Sequence, residues 1–237
     1  MPMHNNGPLI SIITVVYNGA SVIENTITSV IDYPYENIKY IIIDGASKDG
    51  TVDVIKKYED KIAYWTSEPD KGIYDAMNKG WAEASDNSYI LFLGAGDRII
   101  KLPDMHGEHL PDIIYGNVQI GEQIIFPATA DLRLRLGNTI HHQALLIKKN
   151  IYPSPPFSLD YPVYADFDFN QRLLKEGKKF IKDKNFLSYA MEGGVSEKFK
   201  RKEMLQIVKE NYGFFWVMIA RFYYFLQKIY YPLKYKR

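Results

Sequence analysis

The chain has no cysteine. This excludes disulfides, thiolate zinc sites and a cysteine nucleophile, and it is compatible with a reducing compartment. No run of about 18 apolar residues is available to span a bilayer, and residues 1–7 lack the basic region and apolar core of a secretory signal. A cytoplasmic protein is therefore expected. Internal repeats and low-complexity tracts are absent, as is a glycine-rich basic phosphate loop after the first apolar run, where the chain reads Val16-Tyr17-Asn18-Gly19. That absence argues against a nucleotidyltransferase built on such a loop. Excess charge of either sign is also lacking, with 29 Lys and Arg against 28 Asp and Glu. The balance is uneven, however. Residues 198–237 carry ten basic and two acidic side chains, about +8, which leaves about −7 for the rest. Outside that tail no basic face or nucleic-acid motif is found, so no nucleic-acid partner is expected.

What is present is an alternation of strands and helices. At 237 residues one generous domain is the expectation. Apolar runs at 9–16, 38–43, 62–66 and 89–93 predict buried strands, and helical spacing predicts helices at 20–31, 51–58 and from Ile73 through Ala84. Strands alternating with helices imply a parallel sheet and an α/β fold. The second half is less regular, with strands expected at 112–118, 123–126 and 143–147. A proline-rich loop at 152–156 is a candidate lid, and a helix is expected from about Asp166.

Three of the first strands end in polar, glycine-containing turns, and the carboxyl ends of strands in such a sheet are where ligands bind. Tyr17 can stack on a base or only pack at the rim. Asp44, directly after an isoleucine run, can accept hydrogen bonds from a base or ribose, or serve the turn. Ser47 and Asp49 suit the turn before the helix at Thr51. Gly72 permits close approach. Asp75 and Asn78 share a helical face, with an Asp75–Lys79 pair as the alternative.

Taken in order over residues 9–177, these segments resemble family 2 glycosyltransferases, inverting enzymes of GT-A fold that use nucleotide-diphosphate sugars, and in particular the short bacterial members that build surface polysaccharides. The resemblance implies a mixed, mainly parallel sheet flanked by helices, with a C-terminal helical extension. The GT-A domain would be 1–195, with a nucleotide-binding half at 1–100 and an acceptor half at 101–195, followed by basic, aromatic helices at 196–237. It implies that Thr14, Val16, Tyr17 and Asn18 wrap the nucleoside, and that Asp44, Ser47, Asp70, Gly72, Asp75, Asn78 and Gly96 complete the donor site. Family members usually place an Asp-x-Asp or Asp-Asp turn after the fourth strand to hold a metal with the diphosphate. Here the turn reads Gly94-Ala95-Gly96-Asp97, so Asp97 is the single expected ligand of Mn²⁺ or Mg²⁺. His142, of His141-His142-Gln143, matches a histidine near the diphosphate. In an extended segment His141 would point away from the cleft. In Tyr164-Ala165-Asp166-Phe167-Asp168, the resemblance makes Asp166 the catalytic base, while Asp168 can pair with Arg172 four residues on. UDP is the family's commonest carrier and so the expected one. The acceptor would be a saccharide or lipid-linked saccharide. A catalytically silent donor-binding or scaffold subunit is the alternative, favoured by the reduced turn.

Helices are also expected at 200–212 and 214–231, separated by Gly213. Eleven aromatic residues lie between Tyr212 and Tyr235, and Met218, Phe222, Phe225, Leu226 and Ile229 form an apolar stripe opposite Arg221, Tyr224 and Lys228. Such a helix suits an anionic membrane surface, giving a peripheral position at the inner face of the cell membrane, or it packs on the domain or in a dimer.

Overall fold

A computed structural model describes residues 7–107, 109–122, 124–152, 155–193 and 201–234, with side chains of 229–234 outside the description. In chain order its main elements are β1 (Ile10–Val16), α1 (Ile23–Ile31), β2 (Ile38–Asp44), α2 (Thr51–Lys56), β3 (Tyr64–Ser67), α3 (Ile73–Glu83) and β4 (Tyr89–Gly94). They continue with β5 (Arg98–Lys101), β6 (Ile113–Ile120), β7 (Ile124–Phe126), β8 (Leu145–Lys148), α4 (Ala165–Lys175), β9 (Phe180–Ala190), α5 (Arg201–Tyr212) and α6 (Phe214–Lys234).

Strands β3, β2, β1 and β4 run parallel in that order, as the alternating pattern predicts. Successive strand residues face opposite sides. Ile10, Ile12, Ile42 and Leu91 accordingly pack with Ile23 and Ile27 of α1, while Ile13, Val15, Ile41 and Ile43 pack on the other side with Met77 and Trp81 of α3. A sheet covered on both faces needs apolar side chains on both, which explains the unbroken apolar runs.

Beyond β4 the sheet continues through β8, β6 and β9 to β5, with β7 on the flank of β6. Strand β8 is antiparallel to both β4 and β6, whereas β6 and β9 are parallel, so the sheet is mixed. The β4–β8 pairing joins the strands of the first hundred residues to those that follow, while β5, which crosses the expected boundary at residue 100, pairs with β9 at the far edge of the sheet.

The sequence pattern misses β5 and β9. In β9 a polar run, Lys182-Asp183-Lys184-Asn185, breaks the alternation. The register absorbs it, jumping from Tyr115 opposite Lys182 to Asn117 opposite Leu187. Gly116 makes the bulge possible, because any Cβ there would overlap the Phe186 backbone. The strand expected at 143–147 begins instead as a 3-10 turn, His142–Ala144. Gln123, the expected start of another strand, and residues 153 and 154 of the expected lid lie outside the described residues. The described ends of that loop are tied down, since Arg172 donates to the Tyr152 hydroxyl and to the Pro156 carbonyl.

The C-terminal helices complete the core. Met204, Ile207 and Val208 of α5 and Val217, Ala220 and Tyr224 of α6 are buried with Phe167 and Leu173 of α4. Lys200, the expected first residue of α5, and the side chain of Ile229 lie outside the described residues. Tyr224 departs from its expected place on an outward polar face, being buried with its hydroxyl bonded to the Leu136 carbonyl.

Candidate active site

A cavity of about 680 Å³ opens at the carboxyl ends of β1 and β4, bounded by the start of α3, the segment 138–143 and the N-terminus of α4. Val16, Tyr17, Asp70, Gly72, Asp97, His142 and Asp166 of the expected residues line it.

At one end, Tyr17 is exposed at the rim, as stacking requires. Gly45 lies between its ring and the Asp70 carboxylate, and a side chain at 45 would displace both. Asp70 also accepts from the Gly72 amide at 2.8 Å, closing the tight turn into α3. Asp44 is fully buried, accepting from the Ser47 amide at 2.9 Å and the Ser67 hydroxyl at 2.6 Å. Ser47 in turn accepts from the Asn18 amide at 2.7 Å, and Asn18 takes φ +50°. Asp44, Ser47 and Asn18 thus shape the rim from behind the cavity wall. Asp49 holds the start of α2 by accepting from the Thr51 amide at 3.1 Å and from Ala20 at 3.0 Å.

Four more expected donor contacts sit outside the cavity lining. The Thr14 hydroxyl is buried against the Tyr40 hydroxyl at 3.0 Å. Asp75 accepts from the Lys71 amide at 3.0 Å, and Lys79 pairs with Glu68 at 2.8 Å rather than with Asp75. The Asn78 amide is committed at both ends to the Phe157 backbone, at 2.8 and 3.0 Å. Gly96 turns at φ +96° with its amide on Thr26, and Met191 fills the space a side chain would need.

At the other end Asp166 enters on the first turn of α4, nearly buried. Its Oδ1 accepts from the Phe167 amide at 2.8 Å and from the Tyr74 hydroxyl at 3.0 Å, which shares its one hydrogen with the Val163 carbonyl at 2.8 Å, and its Oδ2 accepts from Asn138 Nδ2 at 3.2 Å and His142 Nδ1 at 3.3 Å. Burial works against ionisation here, but the hydrogen bond and charge of His142, with His141 and Tyr74, hold the Asp166 pKa below the usual carboxylate value. The bond to a carboxylate fixes the proton of His142 on Nδ1 and leaves Nε2 for the cavity. Burial, reinforced by the Asp166 charge, raises the Tyr74 pKa well above normal, so its hydroxyl stays a donor. Asp168 is structural, bonded to Arg172 at 2.9 Å and to Asn211 at 3.0 Å.

His141 also lines the cavity, contrary to the expectation from an extended segment. His141 precedes the 3-10 turn with an extended backbone, and the change of backbone at His142 ends the alternation that would have sent the two rings to opposite sides. His141 packs against Phe126 with the rings tilted by 60° and their centroids 4.4 Å apart, and burial pushes its pKa down to about 4.

Asp97, nearly buried after β4, accepts from the Gly94 amide at 2.7 Å, Gln143 Nε2 at 3.0 Å and the Met191 amide at 3.0 Å. Burial raises its pKa despite the His142 charge and these bonds, so a cation beside it would be welcome. Three bonds leave roughly one of four lone-pair sites open. Gln143 Oε1, on the same cavity, is buried without a partner. One carboxylate and one amide oxygen fit a hard divalent cation that takes its other ligands from phosphate and water. No group of three acidic, histidine or cysteine ligands exists among the described residues, so any such site is sparse in protein donors.

Tyr74, Asn138 and Gln143 escaped the sequence reading as site residues. Tyr74 and Gln143 stand next to residues of stronger chemical character, Asp75 and His142. Asn138 carries no local signal, because its role depends on a loop folding back toward α4.

Comparison with known proteins follows the same lines. The glycosyl transferase family 2 model matches residues 11–133. A PGL/p-HBAD biosynthesis glycosyltransferase of Mycobacterium bovis is 29% identical over 214 residues, covering 84% of this chain and 83% of the relative. The putative teichuronic acid biosynthesis glycosyltransferase TuaG of Bacillus subtilis is 36% identical over 99 residues, 40% of this chain and 39% of the relative. Among solved structures, S. aureus TarS in complex with UDP-GlcNAc superposes with a TM-score of 0.61 at 17% identity, over 86% of this chain and 66% of that one. The mannosyltransferase PcManGT of Pyrobaculum calidifontis, in complex with GDP-Man and Mn²⁺, gives 0.63 at 15% identity, over 87% and 64%. The chain spans less than two thirds of these solved chains, and at such identities the likeness is one of fold.

Proposed function

The chain belongs to glycosyl transferase family 2, and from that premise we propose that it moves a sugar from a nucleotide-diphosphate sugar, with UDP as carrier, to a hydroxyl of a saccharide or lipid-linked saccharide in bacterial surface-polysaccharide synthesis. The observation that carries this reading is that one cavity holds a hydrogen-bonded, ionisable Asp166 at one wall and Asp97 at the end of β4. Relatives named for PGL/p-HBAD and teichuronic acid biosynthesis support the glycan setting, and a neighbour solved with UDP-GlcNAc supports the carrier.

The acceptor hydroxyl attacks the anomeric carbon from the face opposite the diphosphate, so configuration inverts. The new C–O bond forms as the bond from the anomeric carbon to the phosphate oxygen breaks, and the hydroxyl proton passes to Asp166. Both oxygens of Asp166 are already engaged, so the acceptor takes the place of the Asn138 amide. Asn138 is the partner most ready to yield, since it is a neutral amide donor at 3.2 Å, whereas His142 and Tyr74 supply the bonds that hold the Asp166 charge. Tyr74 and the Phe167 amide keep the carboxylate aimed while this happens. His142, anchored through Nδ1, turns Nε2 toward the departing phosphate, to which it donates in the imidazolium form, where both ring nitrogens carry protons. Asp97 and Gln143 would hold Mn²⁺ or Mg²⁺, whose charge offsets that of the diphosphate. Tyr17 and Asp70 receive the nucleoside at the rim.

The test is thermal unfolding with UDP, GDP and CDP, each with and without Mn²⁺, since a ligand at 100 times its Kd stabilises a fold by about 2.7 kcal/mol. A shift for UDP that needs Mn²⁺ and disappears in Asp97→Ala is expected. No shift with any nucleotide overturns the donor site. A UDP shift without transfer to any acceptor would favour the silent subunit.

A further inference from the structure

We propose that α6 is a membrane-docking helix that stays folded on the domain and presents its outer face to an anionic lipid surface. The helix packs inward through Val217, Ala220 and Tyr224, yet Phe214, Phe215, Met218, Phe222, Phe225 and Leu226 remain exposed. From Phe215 these residues recur at steps of three and four, a continuous stripe on the side away from the core. Phe215 keeps 72% of its surface in solvent and Phe222 62%. An apolar patch of several large side chains is rare on a soluble domain unless something covers it.

Charge decides between the two covers available. No acidic residue follows Glu210, whereas Arg221 and Lys228 flank the stripe and are exposed. A second copy seated on this face, helix against helix, would bring cations against cations with no carboxylate of α6 to offset them. An anionic headgroup layer supplies the missing counter-charge, while the phenylalanines enter the apolar boundary beneath it. The helix is not long and apolar enough to cross a bilayer, and no helix is among the described residues, which leaves a position lying in the interface. Tyr224, on the opposite side of α6, bonds to the Leu136 carbonyl, two residues before the Asn138 that contacts Asp166. Docking through α6 therefore sets the acceptor wall of the cavity close to the lipid.

Flotation of the full chain with phosphatidylcholine vesicles, with and without phosphatidylglycerol, tests this without donor or acceptor, so the outcome is separate from the transferase reading. The chain should float with the anionic vesicles and not with the neutral ones. Phe222→Ser/Phe225→Ser should bind about tenfold more weakly or worse, with its Tm unchanged because both side chains lie outside the core. Arg221→Glu/Lys228→Glu should lose the preference for anionic lipid. Failure of the unmodified chain to float, or undiminished flotation of the serine variant, overturns the proposal. So does light scattering that shows a dimer which the serine substitutions dissociate in the absence of vesicle binding.

Discussion

The Glu203 carboxylate on α5 lies 2.7 Å from the backbone amide of Tyr164, the residue that opens α4, and also accepts from Val163 at 2.9 Å. Tyr164 has no side-chain oxygen suited to capping, so a carboxylate from a distant helix satisfies the amides at this entry. The C-terminal helices thereby fix the turn on which Asp166 stands.

Glu203→Ala should cost about 1–3 kcal/mol, the price of leaving buried amides unpaired. Because it lets the first turn of α4 drift, kcat should fall while UDP affinity holds. Urea unfolding and steady-state kinetics check both; an unchanged kcat would detach α5 from positioning the carboxylate.

Asp166→Asn should lower transfer by roughly 10²–10⁴-fold, the usual worth of a positioned base. The UDP-plus-metal thermal shift should survive, because the proposed role of Asp166 is toward the acceptor and not the nucleotide. Transfer at the original rate would move proton acceptance elsewhere, with His142 the nearest group.

His141 should make stability fall as pH drops from about 6.5 toward 4, while Asp97, whose folded pKa is raised, works in the opposite direction. His141 in the folded protein has its pKa pushed down to about 4, against about 6.5 for a free histidine. In that window the unfolded chain binds a proton that the folded chain refuses, so stability rises with pH, by up to about 3 kcal/mol across it. Asp166 acts in a different window. Its folded pKa is below the unfolded value, so its contribution is present above about pH 4 and is lost as pH falls through the folded value. His141→Gln should flatten the first window only. Thermal unfolding between pH 7 and 4 would show this, and an equally steep loss in the variant would remove His141 as the cause.

Asn78→Ala should lower Tm through loss of both bonds to the Phe157 backbone, at about 1–3 kcal/mol, with little effect on UDP affinity. A selective loss of UDP binding at unchanged Tm would instead support the donor contact expected of Asn78.

Much of the first hundred residues was legible because one physical fact governs them. Strands β1, β2 and β4 are covered on both faces, so their apolar runs are unbroken, and the polar turns that follow must sit at one edge of the sheet. Strand β9 was not legible, because its polar stretch is hidden in a bulge whose permission comes from Gly116 on another strand.

The sequence by itself determined the α/β order, the turns that carry Tyr17, Asp70 and Asp97, and the presence of Asp166 and His142 in segments of the right character. These depend on local spacing, which a chain carries wherever it folds. Only the tertiary structure decided that Asp44 and Asn78 are held within the scaffold, that His141 joins His142 in the cavity, that Tyr74 and Asn138 converge on Asp166, and that Glu203 holds the turn before it. It also decided that α6 turns Tyr224 inward and its phenylalanines outward. These outcomes rest on hydrogen bonds and packing between residues far apart in sequence, whose partners no local pattern specifies.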